Sequence, residues 1–238
     1  MSSQSSSSPI ILAVDTREFD TARAWISATR EHVGVFKLGL EFFLTFGSAG
    51  VASIKEEFGV EIFLDLKLHD IPNTVSSAAK AISAINPRFL TVHASGGPAM
   101  IKAAVEAVPH IDITAVTILT SLSEDDLFQI GFAQNAMESV VSLAELAVRS
   151  GAKAIVSSPL EIEAIRGAVG TEPIIITPGV RPKGSAGSDD QVRTMTPREA
   201  ITAGANFVVI GRPITGAWSE GAAAMSARAA SILEEIAG

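Results

Sequence analysis

Eight short apolar, β-rich runs recur along the chain at a spacing of about 30 residues, the size of one βαβ unit, and this periodicity constrains the fold more than any other feature. The runs are Ile10–Val14, Val33–Leu38, Glu61–Leu66, Phe89–His93, Asp112–Ile118, Ala154–Val156, Ile174–Thr177 and Phe207–Ile210. Longer helix-patterned stretches separate them, and strands that alternate with helices from end to end build a parallel sheet covered by helices. Eight units close that sheet into a single (β/α)8 TIM barrel, and 238 residues suit one such barrel as one domain. Helix boundaries agree with the phasing. Ser158-Pro159-Leu160-Glu161 and Thr196-Pro197-Arg198-Glu199 each offer a capping hydroxyl, a proline at the first helical position and a glutamate at the third. Gly151, Gly170 and Gly204 fall just past helical stretches, where a left-handed residue ends a helix. No linker or composition break divides the chain, so the expected organisation is a disordered tail over 1–8 followed by a catalytic barrel over 9–238.

The serine-rich tail lacks the cationic and apolar regions of a secretory signal. No apolar run approaches the roughly 18–20 residues that a spanning helix needs. A formal charge of -8 repels polyanions and no basic patch offsets it, so neither nucleic acid nor membrane is an expected partner. Without cysteine the chain has no disulfide, thiolate metal site or thiol nucleophile, and a cytoplasmic location is the expectation. His32, His69, His93 and His110 share no metal-ligand spacing with one another or with carboxylates, so no metal is expected. Each reads as a hydrogen-bonded structural residue, with His93 at the end of the fourth run the one candidate exception.

Ionisable residues gather at strand ends. In Phe63-Leu64-Asp65-Leu66-Lys67-Leu68-His69-Asp70, the two-residue period of a strand puts Asp65 and Lys67 on one face and the leucines on the other. The second run ends in Phe36-Lys37-Leu38-Gly39 and the first in Val14-Asp15, so three neighbouring strands deliver charge to one rim. Rim ion pairs that only stabilise the barrel are one reading. Each desolvated charge costs several kcal/mol, however, and apolar residues meet a stability requirement more readily, so chemistry is the better reading. The C-terminal rim is where barrel enzymes place their active sites. Two long connections leave that rim, Leu119–Asn135 and Pro178–Arg193, and Pro182–Asp190 within the second reads as a lid. Pro178-Gly179-Val180-Arg181 and Ile210-Gly211-Arg212-Pro213 pair glycine with arginine after the seventh and eighth runs, where barrels commonly hold phosphate.

Over nearly the whole chain these residues resemble a known family. Phe63-Leu64-Asp65-Leu66-Lys67-Leu68-His69-Asp70-Ile71-Pro72-Asn73-Thr74-Val75 is similar to the signature of bacterial-type orotidine 5'-monophosphate decarboxylases. Ala13-Val14-Asp15, Lys37-Leu38-Gly39-Leu40-Glu41, Leu119-Thr120-Ser121, Thr177-Pro178-Gly179-Val180-Arg181-Pro182, Asp189-Asp190-Gln191 and Gly211-Arg212-Pro213 follow in the family's order. The resemblance implies decarboxylation of orotidine 5'-monophosphate to UMP and CO2, the last step of de novo UMP biosynthesis, with no cofactor. It implies that Lys37, Asp65, Lys67 and Asp70 form an alternating lysine–aspartate array in which Lys67 protonates C6. Asp15 and Lys37 would hold the ribose, Thr120 and Ser121 would flank the pyrimidine, and Arg181, Gln191, Gly211 and Arg212 would surround the phosphate. Asp70, with Ile71 beside it, and Thr74 would reach into the site of a partner subunit in a homodimer. Two other readings share parts of the pattern: a Mg2+-dependent sugar-phosphate aldolase or decarboxylase, and a catalytically silent nucleotide-sensing barrel. Lys37 opposes the first because a cation there repels a bound metal, and intact Lys67 with both aspartates opposes the second.

Overall fold

The computed structural model describes residues 8–182 and 195–238. Eight parallel strands close on themselves in sequence order, each hydrogen-bonded to the next and the last to the first. They are β1 Ile10–Ala13, β2 Val35–Gly39, β3 Glu61–Leu68, β4 Phe89–His93, β5 Asp112–Val116, β6 Ala154–Val156, β7 Ile174–Pro178 and β8 Phe207–Ile210. The helices are α1 Phe19–Thr29, α2 Leu40–Phe58, α3 Pro72–Ile82, α4 Gly97–Ala107, α5 Glu124–Gln129, α6 Ala136–Arg149, α7 Ile162–Val169, α8 Pro197–Thr202, α9 Arg212–Thr215 and α10 Ala222–Ala237. The expected (β/α)8 barrel is therefore present. Of the expected tail, residues 1–7 lie outside the described residues, while Ser8 is buried and its Oγ donates to the His32 carbonyl at 2.7 Å.

Alternation along each strand sorts side chains into two cores. Ile10, Leu12, Phe36, Leu38, Ile62, Leu64, Leu90, Ile155, Ile175, Val208 and Ile210 belong to the cluster shared with the helices. Helix faces meet it at the expected spacing, as in α6, where Val140, Ala144 and Ala147 are buried at intervals of four and three residues. Ile11, Val35, Phe63, Phe89, Ala154 and Ile176 form the second cluster, inside the barrel, with Phe207 and Val209 against it. Phe89 meets Phe63 and Phe207 edge-on, at centroid distances of 5.7 and 5.8 Å. The Arg88 guanidinium lies 4.9 Å from the Phe89 and Phe207 centroids at the N-terminal end of the strands, so the barrel has a floor there.

The capping boxes at Ser158 and Thr196 form as expected, with Glu161 and Glu199 returning to the cap N–H groups. Gly151, Gly170 and Gly204 all take positive φ. Several boundaries change: β1 ends at Ala13 and β5 at Val116, while β3 runs on to Leu68 and β7 to Pro178. Val33 lies outside β2, because the chain turns at Gly34, whose N–H bonds the Ile10 carbonyl before pairing begins at Val35. The long connection after β5 contains the six-residue α5, whose start is set by a Ser123/Asp126 capping box and three acidic residues in its first turn.

Candidate active site

The floor residues position the site directly. Lys37 follows Val35 by two residues on β2, Asp65 follows Phe63 on β3, and Thr91 follows Phe89 on β4. Each thus stands one step nearer the C-terminal mouth on the same inner face, and a polar layer forms above an apolar one. Asp65 is its centre. Lys67 Nζ donates to both Asp65 carboxylate oxygens at 2.8 Å, Thr91 Oγ1 donates to Oδ1 at 3.1 Å, and Lys37 Nζ lies 3.6 Å from Oδ2. Lys37 also donates to Asp15 Oδ1 at 3.2 Å. The result is an unbroken row of alternating charge, Asp15–Lys37–Asp65–Lys67. Gly39 leaves room for it, since a Cβ there would sit only 3.1 Å from Lys37 Nζ and 3.5 Å from Asp15 Oδ1.

Strict alternation along β3 does not hold. Pairing with β4 slips between Leu64 and Leu68, and Lys67 takes a left-handed φ of 49°. Such a conformation costs roughly 1–2 kcal/mol for a residue with a Cβ. The Lys67 N–H, taken out of the ladder by this bulge, donates to Thr91 Oγ1 at 2.7 Å. Lys67 still meets Asp65, as expected, but from a buckled strand rather than a flat one.

Burial pushes the Asp65 carboxyl towards its neutral form, but the charges of Lys37 and Lys67 and the hydrogen bonds from Lys67 and Thr91 outweigh it. Its pKa falls below the ordinary aspartate value, so it is an anion at neutral pH. His93 moves down as well, through burial first and then the His69 and Lys67 charges, against the opposing pull of Asp65. Its ring lies 5.3 Å from that of His69, and it is neutral at pH 7.

Above this layer opens a cavity of about 200 Å³ lined by Lys37, Phe63, Asp65, Lys67, Val116, Ile118, Leu119, Thr120, Val156, Ser157, Pro178 and Val209. One wall is charged and the other is apolar with two hydroxyls. Thr120 lines it, and Ser121 is the exposed residue beside it. Arg181 follows β7, with its Nη1 donating to the Val180 carbonyl at 3.0 Å, and Gly211 and Arg212 follow β8 on the same side of the barrel. Asp70, Ile71 and Thr74 stand apart: all are exposed around the start of α3, and the Asp70 carboxylate accepts from the Ile71 N–H at 2.6 Å. Gln191 and nearly all of the expected lid fall within 183–194, outside the described residues. Among the described residues, no group of three or more His, Cys, Asp or Glu side chains is arranged to hold a metal ion, and no helix is long and apolar enough to cross a membrane.

Sequence reasoning passed over Thr91 and the apolar wall. Thr91 had a signal, being the hydroxyl at an inward position in Phe89-Leu90-Thr91-Val92-His93. The wall had one only through counting inward positions on β5 to β8, since Val116, Val156 and Val209 read individually as ordinary core.

Comparison with known proteins identifies the family. The model of the orotidine 5'-phosphate decarboxylase / HUMPS family matches residues 8–227. An orotidine 5'-phosphate decarboxylase of Thermobifida fusca is 49% identical over 216 residues, covering 91% of this chain and 92% of its own. One of Frankia casuarinae is 44% identical over 234 residues, covering 91% and 85%. The crystal structure of the orotidine 5'-phosphate decarboxylase of Lactobacillus acidophilus superposes with a TM-score of 0.84 at 34% identity, covering 97% of this chain and all of that one. The chain belongs to the orotidine 5'-phosphate decarboxylase / HUMPS family.

Proposed function

We propose that the chain converts orotidine 5'-monophosphate to UMP and CO2, the last step of de novo UMP biosynthesis, without a cofactor and as a cytoplasmic homodimer. The observation that carries this reading is the Lys67 ammonium held 2.8 Å from both oxygens of a buried, ionised carboxylate, on the wall of a cavity otherwise mostly apolar. When the C6 carboxylate leaves as CO2, its bonding electrons remain on C6 in the plane of the ring, where the pyrimidine π-system cannot take them up. A fixed cation in a low-dielectric pocket stabilises that charge as it develops and needs no reorganisation to do so. Lys67 then gives a proton to C6 and regains one from solvent.

A cavity of about 200 Å³ lies below the roughly 300–1,000 Å³ of drug-sized sites, so it takes the base, and ribose and phosphate extend over the rim. On this reading Asp15 and Lys37 hold the ribose hydroxyls, Thr120 and Ser121 flank the pyrimidine, and Arg181, Gln191, Gly211 and Arg212 surround the phosphate. Asp70, Ile71 and Thr74, exposed on one chain, suit groups lent to the site of a second copy. An enediolate reaction on Mg2+ is disfavoured, because two ammonium groups already face the Asp65 oxygens.

The test is CO2 release from orotidylate by the purified protein in EDTA, beside the Lys67→Ala variant. Turnover surviving chelation and lost in Lys67→Ala, with UMP binding still measurable, is expected. A variant that keeps about a tenth of wild-type kcat, a loss of only about 1.4 kcal/mol of transition-state stabilisation, would sink the role of Lys67.

A further inference from the structure

We propose that Thr91 is a positioning residue for the proton donor, its single hydroxyl fixing both the strand bulge that presents Lys67 and the carboxylate that anchors the Lys67 ammonium. Thr91 is fully buried. Its Oγ1 accepts from the Lys67 N–H at 2.7 Å and donates to Asp65 Oδ1 at 3.1 Å, which is the one proton and one of the two acceptor positions that a hydroxyl offers. Both partners belong to the proposed proton donor and its anchor.

Packing does not call for this hydroxyl. Valine has nearly the same shape, prefers strands equally and would fill the inner face of β4 without a polar atom. A buried hydroxyl there is explained by its two bonds, and each answers a need created by β3. The bulge leaves the Lys67 N–H without a ladder partner, and an orphaned buried N–H is costly. The left-handed Lys67 backbone persists only if its surroundings over-determine it. Asp65, for its part, must keep one orientation to hold Lys67 through both oxygens, and Thr91 occupies the approach to Oδ1 from the β4 side. Without the hydroxyl the bulge relaxes, and Lys67 Nζ shifts from the position at which C6 is protonated.

The inference rests on the role proposed for Lys67, and the two fail separately. A wild-type protein that does not turn over orotidylate defeats the functional reading alone, whereas hydrogen exchange at the Lys67 amide reads the Thr91 contact with no turnover at all. In Thr91→Val, kcat is expected to fall by about 10–100-fold, the scale of a displacement near 1 Å at the reacting group. KM for orotidylate is expected to stay within about threefold, because phosphate and ribose contacts lie elsewhere. The Lys67 amide loses its protection, and Thr91→Ser, which keeps the hydroxyl, restores most of kcat and that protection. Thr91→Cys, with a weak donor in a small side chain, carries the same comparison if the valine variant does not fold. A valine variant within twofold of wild-type kcat, a loss expressed in KM alone, or a serine variant no better than valine overturns the proposal.

Discussion

Replacing Asp65 by asparagine keeps the side chain's shape and removes the negative charge between two ammonium groups. At an effective dielectric of about 20, the Lys67 contact at 2.8 Å is worth roughly 6 kcal/mol of Coulomb attraction and the Lys37 contact at 3.6 Å roughly 5. Those sums are not the loss to expect, because the substitution also removes the cost of desolvating the carboxylate. Breaking a buried pair typically costs about 3–5 kcal/mol, and the Lys67 side chain, 30% exposed, recovers some hydration, which places the expectation near 3. For a chain of this size each kcal/mol moves Tm by about 2–4 °C, so Asp65→Asn should melt roughly 6–12 °C below wild type at pH 7. Calorimetry or circular dichroism reads this directly. The pH dependence has a definite sign. A carboxyl whose folded pKa is depressed contributes stability that is present above its unfolded pKa and is lost as pH falls through the folded value. The gap between wild type and variant should therefore stay constant across neutral pH and narrow only below about pH 4. A variant melting within about 2 °C of wild type at pH 7, under 1 kcal/mol on the same scale, or a gap unchanged in acid, would refute this account of Asp65.

The proposed sharing of the site between two copies predicts complementation: inactive Lys67→Ala and inactive Asp70→Ala chains, mixed, should recover about a quarter of wild-type activity through hybrid dimers holding one intact site. No recovery despite demonstrated subunit exchange counts against Asp70 crossing an interface. Arg212→Ala should lower kcat/KM for orotidylate by about 10–100-fold, the loss of one charge-assisted phosphate contact, and much less for the phosphate-free nucleoside orotidine. Equal fractional losses on the two substrates would place Arg212 on something other than the phosphate.

The barrel was legible because its code is redundant. Eight apolar runs, each long enough for one strand, repeat a period that only a βαβ succession explains, and an error of one or two residues at a run's end leaves the topology untouched. That is why Val33 fell outside β2 and β5 stopped at Val116 without altering the strand order. The charged row was legible for a related reason: Lys37 and Asp65 lie two residues past apolar inward positions on neighbouring strands, and although the register sets Lys37 beside Phe63, its long side chain reaches the Asp65 carboxylate one step nearer the mouth. The short α5 was not, since six residues carry too little periodicity to register, although Ser123 and Asp126 mark its start. Arg181 and Arg212 were legible only as positions after β7 and β8, because what lies against them is set by loops whose sequence has no repeat.

The bulge at Lys67 is the feature that local sequence hides. Leu64-Asp65-Leu66-Lys67-Leu68 alternates perfectly, and no glycine or asparagine announces a left-handed residue, so every local rule reads a flat strand. The deciding group lies 24 residues away, the Thr91 hydroxyl that takes up the Lys67 N–H. Local preference and tertiary contact therefore conflict at this residue, and the tertiary contact wins. A sequence that specifies its fold keeps its levels consistent almost everywhere, so a departure held by a buried hydrogen bond marks a place where something other than stability was selected. Here the departure falls on the residue that carries the cation into the cavity. The strain at Lys67 and the alternating row of charge are thus two views of one arrangement, in which the barrel's rigidity maintains a geometry that the isolated strand would abandon.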